Sequence, residues 1–404
     1  VLLAAVVAGQ GALGLAYLEA RAGRPVARWI AIVFWAAETA AILVKGPVAP
    51  GLAIATAGAL AVADRDVRWL RGLRPALGLP AMALALAPWL FAIERASEGR
   101  FLAESLGRDF SAKLVGGQES HGAPPLYYVL LATLTFWPGS LFLAPAFARA
   151  WRRRDRPAER FLLAWIVPAW VALELVPTKL PHYVLPLYPA LALAAAGVLA
   201  EGAAAGGAGW ARWIGVAVES LWAVATALLA AALILLPIFF ADCVAVAGLL
   251  GAALIAGFAL LLRLARPSPA GAVALVAALS AAFVVPAAAG VLPGLDRLWL
   301  SRSAAALIAR HPPVAGAPLV AVGYREPSLV FLLGGAVRLT TAPAAAAALG
   351  DGGEALVSDR ETERFAAALS ERGLASRSLG SVAGTNYSTG RRIVLTLYRV
   401  GEGP

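Results

Sequence analysis

The stretch VPTKLPHYVLPLYPALALAAAGVLA, residues 176–200, decides how the chain is read. It opens on a proline-broken segment that holds Lys179, His182, Tyr183 and Tyr188. It then runs apolar to Ala200, far enough to cross a hydrocarbon layer of about 30 Å. Backbone that leaves the helix at membrane depth costs several kcal/mol for each unsatisfied group unless it is buried in protein or lines a polar cavity. The stretch therefore asks for a polytopic membrane protein with something polar at the break.

The rest of the sequence agrees. Hydrophobic residues fill 60% of 404 positions and charged residues 14%, with a mean hydropathy of +0.76, outside the range of soluble domains. Further apolar runs lie near 1–20, 29–45, 47–63, 76–93, 125–147, 161–177, 213–236, 243–262 and 271–292, making about ten spans with 183–200. The single cysteine, Cys243, excludes an internal disulfide. The chain starts at Val1 with an apolar run and no basic leader, which reads as a fragment that lacks its beginning.

A net charge of +10, from 34 Lys+Arg against 24 Asp+Glu, reads as positive-inside loops and not as a nucleic-acid surface. Arginines cluster at 21, 24 and 28, at 65, 68, 71 and 74, and at 152–154, 156 and 160, in alternate connections. That side is predicted to be cytoplasmic. The other side then receives KGPVAP (45–50), the loop 94–124, PTKLPHY, the short LPIFFADC turn (236–243) that ends on Cys243, and everything beyond residue 292. All three lysines, Lys45, Lys113 and Lys179, fall there, against 31 arginines overall, as though a compact ammonium were wanted.

Residues 1–292 read as the transmembrane core and 293–404 as a small α/β domain. In the latter PLVAVG (318–323), SLVFLLG (328–334), EALVSD (354–359) and RIVLTLYRV (392–400) read as strands and ETERFAAALSERG (361–373) as a helix. His311 reads as an ordinary helix-end or loop residue.

Polar chemistry concentrates on the outer connections. Glu38 precedes Lys45 by two helical turns, roughly 10 Å along one face; it is a functional candidate or one half of an ion pair. The loop before the fifth span presents Gln118, Glu119 and His121 between GG and APP, followed by Tyr127 and Tyr128. A solvated loop with interfacial tyrosines is the plain alternative. For His182 it is a structural hydrogen bond, and for Tyr183 the same aromatic belt. Lys179, fixed between Pro177 and Pro181, is harder to explain structurally. With Lys45 and His121 as neighbours it would form a cationic pocket suited to a lipid phosphate or pyrophosphate.

VKGPVAP, GGQESHGAPPLYYVLL leading into TFWPGSL, PTKLPHYVLPLYPALAL, YREPSLVFLLG and NYSTGR, in this order along the chain, resemble the bacterial aminoarabinose transferase and protein mannosyltransferase-like family of C-type glycosyltransferases. The resemblance implies an enzyme of the bacterial inner membrane that moves a sugar, with inversion, from a polyprenyl-phosphate carrier to a periplasmic acceptor: lipid A, a glycan or a protein. It places Lys45, His121, Lys179 and Tyr183, the expected catalytic residues, around the lipid-phosphate and sugar cavity. Gln118, Glu119, Tyr127, Tyr128 and His182 are expected to bind substrate. The resemblance also implies a catalytic Asp in a first outer loop, upstream of a chain that starts near the fourth span, so this segment alone is expected to be inactive. No cofactor is required by the sequence; the resemblance allows a divalent metal shared by His121 and an upstream carboxylate, and one histidine makes no site. The expected partners are the lipid-linked donor, a lipid or glycan acceptor and membrane lipids. A lipid-linked sugar transporter or flippase and a non-catalytic carrier-binding protein are the competing readings.

Overall fold

The computed structural model describes residues 1–102, 124, 126–201, 210–265, 267–313, 316–350 and 352–402. They pack as two compact units, one of residues 1–228 with 257–280 and one of 229–256 with 281–404.

The first unit is helical. Its elements are α1 (Leu2–Arg21), α2 (Arg28–Lys45), α3 (Val48–Asp64), α4 (Pro75–Ala96), α5 (Tyr127–Thr135), α6 (Leu143–Arg152), α7 (Pro157–Leu175) and α8 (Tyr188–Glu201). It also takes parts of α9 (Trp210–Ala241), α10 (Val246–Leu264) and α11 (Pro269–Pro286). Each predicted apolar run is found as helix, with 125–147 broken between α5 and α6. Among the described residues six helical stretches are long and apolar enough to cross a membrane unaided: Leu2–Arg21, Pro75–Ala96, Pro181–Glu201, Gly215–Ala241, Val246–Leu264 and Pro269–Gly294. The outward surface agrees with lipid contact. On α4 only Gly78 and Leu86 are buried, while Leu77, Leu84 and Phe91 are 70%, 76% and 70% exposed. The protein is a multi-pass membrane protein.

The breaks in this unit follow from sequence. α2 stops because Gly46 takes φ +67° and Pro47 cannot continue the helix; α3 starts immediately after. α7 opens on Pro157 at its first position and stops at Leu175, before a Val176 that Pro177 holds extended. Pro181–Leu187 then forms a 3-10 turn that feeds α8. α1, α2, α3 and α7 share one core. There Tyr17 meets Trp69 edge-on at 5.3 Å and stacks with Phe161 at 6.4 Å. A Cβ on Gly14 would lie 2.8 Å from the Phe161 ring, so the close approach of α1 and α7 needs glycine there.

In the second unit a five-stranded sheet has the order β2 (Val337–Thr340), β1 (Leu319–Val322), β3 (Gly353–Ser358), β5 (Arg391–Glu402), β4 (Leu374–Asn386). β2, β1 and β3 run parallel, with Val322 beside both Thr340 and Val357, and β5 pairs antiparallel with β3 and β4. α12 (Leu300–Arg310) and α13 (Pro327–Leu332) cover one face; α14 (Ala342–Ala348) and α15 (Thr362–Ser370) cover the other. The fold class read from the sequence holds, and His311 ends α12 as expected.

One expected strand is a helix. SLVFLLG lies in α13, because Pro327 presets a helical φ at the first position and Leu329 alone needs burial against the sheet. β2 and β4 escape the sequence reading. β4, with Ser376, Arg377, Ser378, Gly380 and Ser381, is a sheet edge with few apolar side chains, so its alternation is faint.

Candidate functional site

The helix ends of the first unit sort the charged residues. α3 and α7 are bound together at one end, where Asp64 accepts from Arg160 and from the Tyr17 hydroxyl at 2.8 Å, with Arg21 at 3.9 Å. Nearby Arg149 bridges Glu159 of α7 and Glu201 of α8, and Arg153 also meets Glu201. The arginine-rich connections, expected only to set orientation, thus also tie helices together. α7 has 19 residues, about 28 Å of rise, and its far end carries the proline break. The Gly46–Pro47 turn that follows Lys45 lies at the far end of α3 from Asp64.

At that far end Lys179 is buried, 6% exposed, and its ammonium donates to the Val176 carbonyl at 3.2 Å. Tyr128 is fully buried and donates its hydroxyl to the Leu180 carbonyl at 3.3 Å, one residue beyond Lys179. The Lys45 ammonium stands 6.0 Å from the centroid of the Tyr183 ring, at the outer edge of a cation–π contact. His182 meets Tyr183 edge-on at 5.0 Å, and Tyr127 meets Tyr128 at 5.1 Å. The structure therefore gathers Tyr127, Tyr128, Lys179, His182 and Tyr183 around the break and brings Lys45 to it. Gln118, Glu119 and His121 lie outside the described residues. His182 is exposed and makes no hydrogen bond among the described residues, so the structural-hydrogen-bond alternative finds no support.

Sequence reasoning missed Glu174. Its carboxylate accepts the Tyr128 backbone N–H at 3.0 Å. This satisfies one of the open amides in the first turn of α5 and places negative charge at the positive end of that helix. The signal was a lone carboxylate within an apolar run, five residues before Lys179. Its second oxygen, Oε2, and the buried Thr178 hydroxyl have no hydrogen-bond partner among the described residues. The break thus carries buried acceptor and donor atoms beside a buried ammonium, an arrangement able to hold a polar, anionic group.

Glu38, buried at 3%, points elsewhere, against Gly9 of α1, where a Cβ would come within 2.6 Å of its Oε1. Among the described residues no group of three or more His, Cys, Asp or Glu is placed to hold a metal ion. An apolar groove of about 410 Å³ runs between α5, α6, α7 and α9, lined by Val129, Phe147, Val167, Trp170 and Trp222 among others. Val171, also on its wall, is one turn before the end of α7.

No family model matches the chain. Over 138 residues, 33% of this chain and 26% of the relative, it is 30% identical to an undecaprenyl phosphate-alpha-4-amino-4-deoxy-L-arabinose arabinosyl transferase of Pseudomonas savastanoi. It is 34% identical over 120 residues, 29% of the chain and 21% of the relative, to the enzyme so named from Erwinia tasmaniensis. The matched segments span about a quarter of those relatives' length. A crystal structure of ArnT from Cupriavidus metallidurans bound to undecaprenyl phosphate superposes with a TM-score of 0.67 at 18% identity, covering 98% of this chain and 81% of that one. The apo form gives 0.68 at 19% identity, covering 97% and 74%. The chain thus resembles the aminoarabinose transferases in sequence and shares the C-type glycosyltransferase fold of ArnT.

Proposed function

We propose that the chain forms the core of a membrane glycosyltransferase that takes a sugar from a polyprenyl-phosphate carrier. The observation that carries this reading is Lys179, a buried ammonium held on a proline-broken segment beside Tyr128 and Tyr183, in a fold shared with an undecaprenyl-phosphate-binding protein. The relatives' names supply the donor class. Residues 1–292 act as the catalytic core, and 293–404 lie on the periplasmic side of the bacterial inner membrane.

In the proposed reaction an acceptor hydroxyl attacks the anomeric carbon and gives its proton to the carboxylate base that the family resemblance implies, the bond from that carbon to the phosphate oxygen breaks, and the electron pair leaves with the phosphate. Negative charge grows on the phosphate, where preorganised cations in a water-poor site contribute most. Lys179 stabilises it from within the break and Lys45 from the α2 terminus, while Tyr183 orients a phosphate oxygen or a sugar hydroxyl. Glu174 acts through Tyr128, fixing the start of α5 so that the tyrosine stays against Leu180. The apolar groove ending near α7 suits the prenyl chain. Gln118, Glu119 and His121 are proposed to meet the sugar or acceptor. Lipid A, or another outer-face glycan, is the proposed acceptor.

The test is reconstitution of the intact protein in liposomes with polyprenyl phosphate carrying a radiolabelled sugar and a lipid A acceptor. Appearance of label on the acceptor is expected. Label that crosses the bilayer unchanged would make the protein a flippase, and retention of donor without transfer would leave a carrier-binding protein.

A further inference from the structure

The five-stranded sheet carries a cleft that the transfer reaction does not use. β1 leads to β2 through α13 on one face, and β2 returns past β1 to β3 through α14 on the other. The two crossovers leave in opposite directions, and the crevice at the carboxyl ends of the strands beside such a reversal is where open α/β sheets take ligands. A cleft of about 440 Å³ opens there, inside the roughly 300–1,000 Å³ of small-molecule sites.

Its floor and rim are chemically specific. Gly323, the first residue beyond β1, has φ +76°; a Cβ would strike Ser358 Oγ and come within 2.8 Å of Glu361 Cγ. Only glycine leaves that backbone open to the cleft. Ser358, the last residue of β3, is 1% exposed, and its Oγ, set against Gly323, has no hydrogen-bond partner among the described residues. Ser358 sits against Gly323 and does not itself line the cleft. Around the rim stand Thr340 and Thr341, Arg325, which makes no ion pair among the described residues, Arg364, held to Glu361 at 3.1 Å, and Glu371. Two arginines suit one phosphate. Two carboxylates repel a polyanion and accept from hydroxyls, and the threonines add neutral partners.

We propose that this cleft is a non-catalytic saccharide site, taking a sugar that bears one phosphate, either free or as the headgroup of a glycolipid. It stands independently of the transfer reading, since none of its residues belongs to the proline break.

The experiment uses the intact protein in nanodiscs. Binding of radiolabelled glucose 1-phosphate is measured by equilibrium dialysis, and in a second arm the same headgroup is carried on a dialkyl lipid within the disc. Arg325→Ser, at an exposed side chain with no ion pair to lose among the described residues, and Arg364→Ser should each weaken binding about tenfold. Arg325→Lys should recover part of it. In the soluble arm Lys179→Ala should leave this binding unchanged even where it slows transfer, which keeps the two sites distinguishable. Binding in the soluble arm assigns a free sugar phosphate, and binding in the anchored arm alone assigns a glycolipid; either supports the site. Absence of binding in both arms overturns it, as does binding that ignores both arginines. Inorganic phosphate competing as well as the sugar phosphate, with glucose not competing, overturns the saccharide part.

Discussion

Lys45 and Lys179 differ in what their surroundings ask of them. Lys45 closes α2, where a cation is favoured by the helix dipole whatever else it does. Lys179 is buried, and the burial of an ammonium is tolerated when anionic or carbonyl oxygens compensate it. Lys179→Ala should therefore remove a charge-assisted contact of about 1.5–3 kcal/mol, a transfer rate lower by roughly ten- to a hundredfold. Lys179→Arg should recover only part of it, because a planar fork does not occupy the volume of an ammonium. Tyr183→Phe, which keeps the ring under Lys45, should be milder than Lys179→Ala. The readout is sugar transfer at saturating acceptor per folded molecule, with donor varied; near wild-type turnover and donor affinity in Lys179→Ala would remove the cationic pocket. Lys179 was legible because prolines on both sides make its position deliberate. Glu174 was not, since a single carboxylate in an apolar run reads equally as half of an ion pair, and only the fold shows that it meets the Tyr128 amide.

Among the elements, the joints between α1, α3 and α7 and between α6, α7 and α8 rest on arginine–carboxylate pairs of unequal burial. The Asp64 side chain is 1% exposed and its Arg160 partner 20%, whereas Arg153 and Glu201 are 33% and 36% exposed. Asp64→Ala leaves Arg160 partly stranded and should cost on the order of 2–4 kcal/mol, the lower end reflecting Arg160's remaining access to water. Arg153→Ala should cost about 1 kcal/mol or less. Unfolding midpoints in detergent, followed by tryptophan fluorescence, check the order; equal shifts would mean that Asp64 is not the joint described. Helices were readable in the sequence because each apolar run exceeds what a soluble core helix needs. The strands were readable where burial is two-sided, as in β1 and β3 with all or nearly all positions buried. They were not readable in polar β4, and α13 was mistaken for a strand because six apolar-rich residues fit either period until Pro327 is weighed.

Across the whole molecule, chain direction places Lys45 and the proline break at the helix ends remote from Arg160 and Asp64, and the arginine-rich connections are predicted to be cytoplasmic. The fold match covers nearly the full chain while sequence matches cover about a third of it. Lipid-facing positions accept almost any apolar residue, so packing persists after identity has drifted. Side-specific labelling tests the orientation. The native Cys243, which is exposed, should react with a membrane-impermeant thiol reagent in intact spheroplasts. Asp155→Cys in a Cys243→Ser background should react only after lysis. The same variant provides the most direct measurement of the central claim. Proteoliposomes are sorted by whether the thiol introduced by Asp155→Cys is occluded or accessible, and donor and acceptor are then supplied from outside only. Transfer is predicted in the vesicles whose introduced thiol is occluded; transfer confined to those whose introduced thiol is accessible would place the chemistry on the arginine-rich face and contradict the account.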